Sequence, residues 1–313
     1  IVLVSGLPSG SFFPVGVTTN VWKVTDASGN MATCSFTVTV KDAQAPVFLT
    51  CPGNITKVND PGVCGAVVKW PKITASDNCP GVVVTFVSGM ASGSLFAVGS
   101  TTVVYKATDA AGNMASCTFV VTVLDTEDPT AMCPADIIKN NDYDLCSANI
   151  PFIGTVMAMD NCGVSSITNN AIGTYPVGVT TVTWKVVDNS GNDITCQQKI
   201  TVVDAQSPSP VCNNGVAVTI QHNGFVTLMP SMINNGSSDN CTPTQSLVMQ
   251  VSPNTFDCQS LGSKTVTLTV TDQAGNSAFC QTTVVVQDNF NVCNNGNTAT
   301  IAGKLSRDNG DPV

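Results

Sequence analysis

Asp109-Ala-Ala-Gly-Asn113, followed after three residues by Cys117-Thr-Phe-Val-Val-Thr-Val123, joins a tight-turn signal to a run of strand formers. β-Branched side chains crowd the preceding turn of a helix, so this run, like Thr180-Thr-Val-Thr-Trp-Lys-Val-Val187, predicts strand. The same phrase returns at Asp26, Asp188 and Asp272, each copy trailed by a cysteine (Cys34, Cys196 and Cys280), at periods of 83, 79 and 84 residues. Repeats that stack into one body run roughly 20 to 50 residues, whereas about 100 residues make a self-contained sandwich. The period therefore predicts an all-β chain of tandem immunoglobulin-like β-sandwich modules, arranged as an extended rod.

Length alone would suggest about two domains, but the period gives three whole modules and two partial ones. Residues 1–42 match the C-terminal part of a module, through Phe13-Pro-Val-Gly16 and the Asp26 turn. The whole modules are residues 43–125, 126–204 and a divergent 205–288. Residues 289–313 open a further β-sandwich, incomplete here, whose residues 299–313 resemble the first hairpin of a carboxypeptidase-regulatory-like domain.

Fourteen cysteines suit an oxidising compartment, which together with few charges (11%) predicts a secreted or cell-surface chain. Each whole module has four: Cys51, Cys64, Cys79 and Cys117; Cys133, Cys146, Cys162 and Cys196; Cys212, Cys241, Cys258 and Cys280. Four cysteines allow three pairings. In an immunoglobulin-like sandwich the first and last strands begin at the same end, which predicts Cys51 with Cys117, Cys133 with Cys196 and Cys212 with Cys280. Elimination then leaves Cys64 with Cys79, Cys146 with Cys162 and Cys241 with Cys258, and no partner for Cys34 or Cys293. The Cys-x-x-Cys spacing favoured by zinc is missing.

Taken together, Cys51-Pro-Gly-Asn-Ile-Thr, Asp77-Asn-Cys79, Phe96-Ala-Val-Gly99, Thr108-Asp-Ala-Ala-Gly-Asn and the Cys117 strand resemble a hyalin repeat. The second module matches through Cys133-Pro, Asp160-Asn-Cys162 and Tyr175-Pro-Val-Gly178. The third, with Cys212-Asn-Asn and Phe256-Asp-Cys258, is similar to divergent relatives in tandem arrays of large bacterial surface proteins. The resemblance implies an extracellular immunoglobulin-like fold associated with adhesion and not with catalysis.

Of 21 acidic residues, thirteen gather in the recurring turns and linkers. Like charges repel unless a cation sits among them. The Asp-x-x-Gly-Asn turn, the Asp-Asn-Cys loop and the incoming linker should share one end of each module, converging oxygen donors as Ca²⁺ requires. The expected ligand sets are Asp42, Asp77, Asp109 and Asn113; Asp125, Asp128, Asp160, Asp188 and Asn192; and Asp204, Asp239, Asp272 and Asn276. The competing reading is that Asp and Gly-Asn simply suit tight turns. Pro46, Pro129 and Pro208 restrict the short linkers.

His222 is the single histidine, and no nucleophile-elbow, zinc-protease or phosphate-loop motif occurs, so no enzyme is expected. A net charge of −9 argues against nucleic acid, and no apolar run approaches the ~18 residues of a membrane span. Trp22, Trp70 and Trp184 read first as packing and second as a glycan-stacking face. Sequons stand at Asn54, Asn235 and Asn240. The expected partners are neighbouring modules of this or a longer chain. A piece of a longer secreted protein is the first reading of the ends; head-to-tail strand exchange, joining Cys34 to Cys293, is the second.

Overall fold

The computed structural model describes residues 1–293, and the opening hairpin expected over residues 299–313 lies outside them. Among the described residues almost all regular structure is strand, with one α-helical turn at Pro230–Ile233 and short 3-10 turns at Thr244–Ser246 and Cys258–Ser260. By its contacts the chain forms two units. One comprises Ile1–Ala131, Ala158–Ile167 and Lys185–Ile194; the other comprises Met132–Met157, Thr168–Trp184 and the described residues from Thr195.

In the first unit, Val2–Ser5, Gly16–Thr25 and Met31–Val40 make a three-stranded antiparallel sheet. Much of its apolar surface faces water: Phe36 is 52% exposed and Val17 67%. Residues 47–124 are better covered. Ile55–Val58, Met114–Leu124, Gly99–Thr108 and Val83–Ser88 lie side by side in that order, the first pair parallel (Ile55 opposite Val121) and the others antiparallel. Two short ladders, Val47–Thr50 with Thr74–Ser76 and Gly65–Val67 with Leu95–Ala97, complete the β structure.

Strand alternation places the core. Along Met114–Leu124 the buried residues are Cys117, Phe119, Val121 and Val123, every second position. Trp70 packs edge-on against Phe96 and Phe119, with ring centroids 5.9 and 5.1 Å away. Each such large side chain removed from water contributes about 1.5–3 kcal/mol.

The same sheet order recurs as Ile137–Asn140, Asp193–Val203, Gly178–Asp188 and Val164–Asn169, and again as Val216–Thr219, Ser277–Gln287, Gly262–Thr271 and Val248–Ser252. Two residues past the fourth-position cysteine, each copy solves the core differently. Phe119 is apolar. Gln198 is fully buried and fully used: its Oε1 accepts from Trp184 Nε1 (3.2 Å), and its Nε2 donates to the carbonyls of Ala135 (2.7 Å) and Ile153 (2.8 Å). Thr282 donates to the carbonyl of Asn213 and to Asn214 Oδ1. Trp70 and Trp184 are thus packing residues, 9% and 6% exposed, while Trp22 is half-buried.

Three cystines tie the first strand region to the last: Cys51–Cys117, Cys133–Cys196 and Cys212–Cys280, with Cα atoms 5.8, 5.9 and 5.9 Å apart. The middle pairs predicted by elimination do not form. Cys64 joins Cys162, Cys146 joins Cys241, and Cys258 joins Cys293. The reason is positional. Cys64 lies in the loop that meets the trailing end of the sheet, where Asn59 N donates to the Leu124 carbonyl. Cys79 lies at the leading end, beside Asp42 and Asp77. Cys64–Cys162 and Cys146–Cys241 therefore link consecutive repeats, Cys258–Cys293 ties the chain after the last strand back to the third repeat, and Cys34 and Cys79 carry free thiols. With Cys293 bonded to Cys258, the Cys34–Cys293 route to head-to-tail exchange is closed in this structure.

Candidate metal centre at the repeat junctions

The Asp-x-x-Gly-Asn phrase folds as a closed turn. Asp109 Oδ1 accepts from the backbone N–H groups of Ala111 (2.9 Å) and Asn113 (2.8 Å), and its Oδ2 accepts from Asn113 Nδ2 (2.8 Å). Gly112 sits at φ +93°, a conformation open to glycine at little steric cost. Asp26, Asp188 and Asp272 hold the same turn, with Asn30, Asn192 and Asn276 as donors. Burial pushes the Asp109 and Asp188 carboxyls up, but the asparagine amide and the turn N–H groups outweigh it and hold both below the ordinary range. At Asp26 the Asn30 amide is the leading cause of the same lowering.

This geometry gives the asparagines a further role. Asn113 Nδ2 also reaches the Asp42 carbonyl (3.3 Å), Asn192 Nδ2 the Asp125 carbonyl (3.5 Å) and Asn276 Nδ2 the Asp204 carbonyl (3.1 Å). Each presents an N–H donor to the incoming linker and ties turn to linker.

Among the described residues, three groups bring ligand atoms within 4.8 Å of one another: Asp42, Asp77 and Cys79; Asp125, Asp160 and Cys162; and Asp204, Asp239 and Asp272. Asp109 and Asp188 fall outside these groups, spent on their own turns, and Asp128 is exposed and also outside. In the Asp-Asn-Cys loop one oxygen caps the backbone: Asp77 Oδ1 accepts from Cys79 N, Asp160 Oδ1 from Cys162 N, and Asp239 Oδ2 from Cys241 and Thr242 N. The remaining oxygens, Asp77 Oδ2 and Asp239 Oδ1, are buried without a hydrogen-bond partner.

The donor sets fit a hard cation unequally. The third is all carboxylate, with Asp204 and Asp272 buried at 5% and 4% exposure and Asp239 Oδ1 unpartnered. Burial raises the Asp204 carboxyl, partly offset by the Gln206 N–H, and the charges of Asp239 and Asp272 raise it further. Calcium takes six to eight oxygens, and Asp204, Asp239 and Asp272 would be the side chains to hold it. In the second group the Cys162 sulfur is consumed in a cystine, and Asp125 Oδ2 already accepts from Ser190 Oγ at 2.9 Å. In the first, a hydrogen bond to Asp42 leads the causes that raise the Cys79 thiol, followed by burial and the charges of Asp42, Asp77 and Asp109.

Sequence reading missed the contacts that flank the cross-repeat cystines. Glu127 accepts from Gly62 N at 2.9 and 3.1 Å through its two oxygens, and Asn161 Nδ2 donates to the Val63 carbonyl at 3.1 Å. Around Cys146–Cys241, Gln206 Oε1 accepts from Asp144 N (2.8 Å), Gln206 Nε2 donates to Asp144 Oδ1 (2.8 Å), and Asn240 Nδ2 donates to the Leu145 carbonyl (3.0 Å). The sequon residue Asn240 is thereby engaged, Asn54 is exposed but its Oδ1 accepts from Val120 N at 2.9 Å, and Asn235 is exposed. A groove of about 680 Å³ lies beside Trp70, Phe86 and Tyr105.

Residues 1–40, 41–123 and 124–202 match the HYR domain. The chain belongs to the HYR domain family. It is 34% identical over 290 residues to hyalin of Strongylocentrotus purpuratus, covering 88% of this chain and 24% of that protein. It is 32% identical over 293 residues to hyalin of Lytechinus variegatus, covering 89% and 54%. The chain thus spans about a quarter and about half of these relatives. The sushi, von Willebrand factor type A, EGF and pentraxin domain-containing protein 1 of Rattus norvegicus is 31% identical over 179 residues, covering 56% of this chain and 5% of that protein. These relatives are animal proteins and give no support to the bacterial setting expected for the third repeat. Among solved structures, Drosophila N-cadherin EC1-4 aligns over 88% of this chain and 85% of its own, with TM-score 0.34 and 12% identity. Protocadherin Gamma B2 EC1-5 aligns over 87% and 66%, with TM-score 0.33 and 14% identity.

Proposed function

We propose that the chain is a non-catalytic, extracellular structural stalk or fibre segment, supporting cell-surface adhesion or filament formation through tandem modules at 43–125, 126–204 and 205–288. The observation that carries this reading is the pair of cystines Cys64–Cys162 and Cys146–Cys241, which join successive repeats where a ligand-binding protein would invest in a pocket. Oxidised cysteines in this number also support secretion. Covalently linked repeats with short proline-bearing linkers favour an extended rod, and calcium at the Asp204, Asp239 and Asp272 junction would neutralise its charge and stiffen it.

Small-angle scattering tests the reading in three states: with calcium, with chelator, and with chelator plus reductant. A stalk keeps a long maximum dimension when oxidised, lengthens or stiffens measurably with calcium, and becomes flexible on reduction. A compact particle in all three states sinks it. A profile indifferent to calcium removes the cation and leaves the cystine-linked stalk.

A second reading has one observation in its favour. The groove beside Trp70 has Phe86 and Tyr105 edge-to-face at 5.4 Å, an arrangement suited to stacking a sugar ring or an apolar side chain. Glycan-array binding abolished by Phe86→Ala would favour a direct adhesive role.

A further inference from the structure

Both cross-repeat linkages use one recognition pattern. The receiving side offers a residue two past the linker aspartate (Glu127 or Gln206), then the Asn-Cys of the Asp-Asn-Cys loop (Asn161-Cys162 or Asn240-Cys241). The inserted side is a five-residue loop, Asp60-Pro-Gly-Val-Cys64 or Asp142-Tyr-Asp-Leu-Cys146. Its third residue has positive φ, +70° at Gly62 and +55° at Asp144, which aims its N–H at the Glu or Gln side chain. Its fourth carbonyl accepts from the asparagine amide, and its fifth residue forms the cystine.

The leading end of the first whole repeat carries the complete receiving half. Gln44 stands two past Asp42, identical in type to Gln206; Asn78 precedes Cys79; both Gln44 and Asn78 are exposed, and Cys79 is a free thiol. Asp77 Oδ2 beside them is buried and unpartnered. Residues 1–42 contain only Cys34, which holds the fourth position, so they supply no inserting loop.

We infer that Gln44, Asn78 and Cys79 form a docking site for the Asp-x-Gly/Asp-aliphatic-Cys loop of another HYR module, closed by a disulfide at Cys79. A second copy of this chain does not qualify, because Cys64 and Cys146, its two loops of this kind, are already bonded. In forming the bond each thiol gives up a proton, and the two electrons pass to an oxidising disulfide, which leaves as two thiols. The inference is independent of calcium.

The probe is a synthetic peptide with the sequence of residues 58–67, offered to the intact oxidised chain in a glutathione redox buffer beside a scrambled peptide of the same composition. Peptide mapping reads adducts at Cys79 and at the exposed Cys34. Two specific hydrogen bonds should favour the true loop over the scrambled one at Cys79 by about tenfold, with no preference at Cys34. Asn78→Ala and Gln44→Ala, both surface changes, should each reduce that preference several-fold. Equal capture of the two peptides at Cys79, or capture at Cys34 alone, overturns the inference.

Discussion

The junction at Asp125 and the junction at Asp204 carry the same turn, the same loop and the same kind of cystine, yet their acids are in different states. At the former, Asp188 takes four donors (the N–H groups of Ser190, Gly191 and Asn192, and Asn192 Nδ2), and Ser190 Oγ donates to Asp125. At the latter, Asp272 takes two donors from Asn276 alone, and residue 274, equivalent to Ser190, is an alanine. The carboxylates there are left facing one another. One hydroxyl and two backbone N–H groups thus separate a junction satisfied by its own hydrogen bonds from one whose carboxylates stand together without them.

The largest expected effect should be the same at both junctions. Replacing Cys64 with Cys162, or Cys146 with Cys241, by serine pairs opens links between residues 98 and 95 apart. Each should cost about 4.7 kcal/mol in the chain-entropy model, read by chemical denaturation. A marked inequality between them would mean that the staples, and not only the acids, distinguish the junctions.

Next in size is the turn aspartate. Asp188→Ala strands four donors and should cost about 3 kcal/mol, against about 1 kcal/mol for Asp272→Ala in chelator. Equal losses would erase the contrast in hydrogen bonding.

Calcium should act mainly at the third junction. At ten times its dissociation constant it should stabilise the chain by about 1.4 kcal/mol, an increment removed by Asp239→Asn and kept by Asp160→Asn. Differential scanning calorimetry decides this, and the reverse pattern would transfer the site to Asp125 and Asp160.

The smallest effect is a difference in sign with pH, in chelator. Asp188 has a lowered folded value, so its contribution is present above the unfolded value of about 3.9 and is lost as pH falls through the folded one. Asp204 has a raised value, so its contribution is complete below about 3.9 and is lost as pH rises through the folded one. Asp204→Asn should therefore flatten the loss of stability on going from acid towards neutral pH. Urea midpoints across that range would expose a failure.

Much of the fold is legible because it depends on local rules. The Val- and Thr-rich runs become strands, the Gly112 and Gly275 positions become turns, and the outer cystines follow from where first and last strands begin. The middle cystines were missed because elimination assumed that each module closes on itself, whereas Cys64 and Cys79 lie at opposite ends of one. A signal was present: both loops with a second-position cysteine are followed by a repeat whose Asp-Asn-Cys loop can receive it. The bond from each turn asparagine to the linker carbonyl was not legible for a different reason. A side-chain amide has a donor face and an acceptor face, and sequence spacing does not say which one meets the linker.

The cystine between first and last strands has a mechanical consequence. A pull on the two ends of the chain enters a repeat near Cys51 and leaves near Cys117, so tension crosses the sulfur bridge and bypasses the intervening chain, a sequence separation of 66. Without that shortcut, those residues would pay out about 200 Å of slack, at roughly 3.3 Å each. The bridges spanning 63 and 68 residues do the same further along. An oxidised chain held in an optical trap should therefore yield only short steps, and the long ones should emerge once dithiothreitol is added.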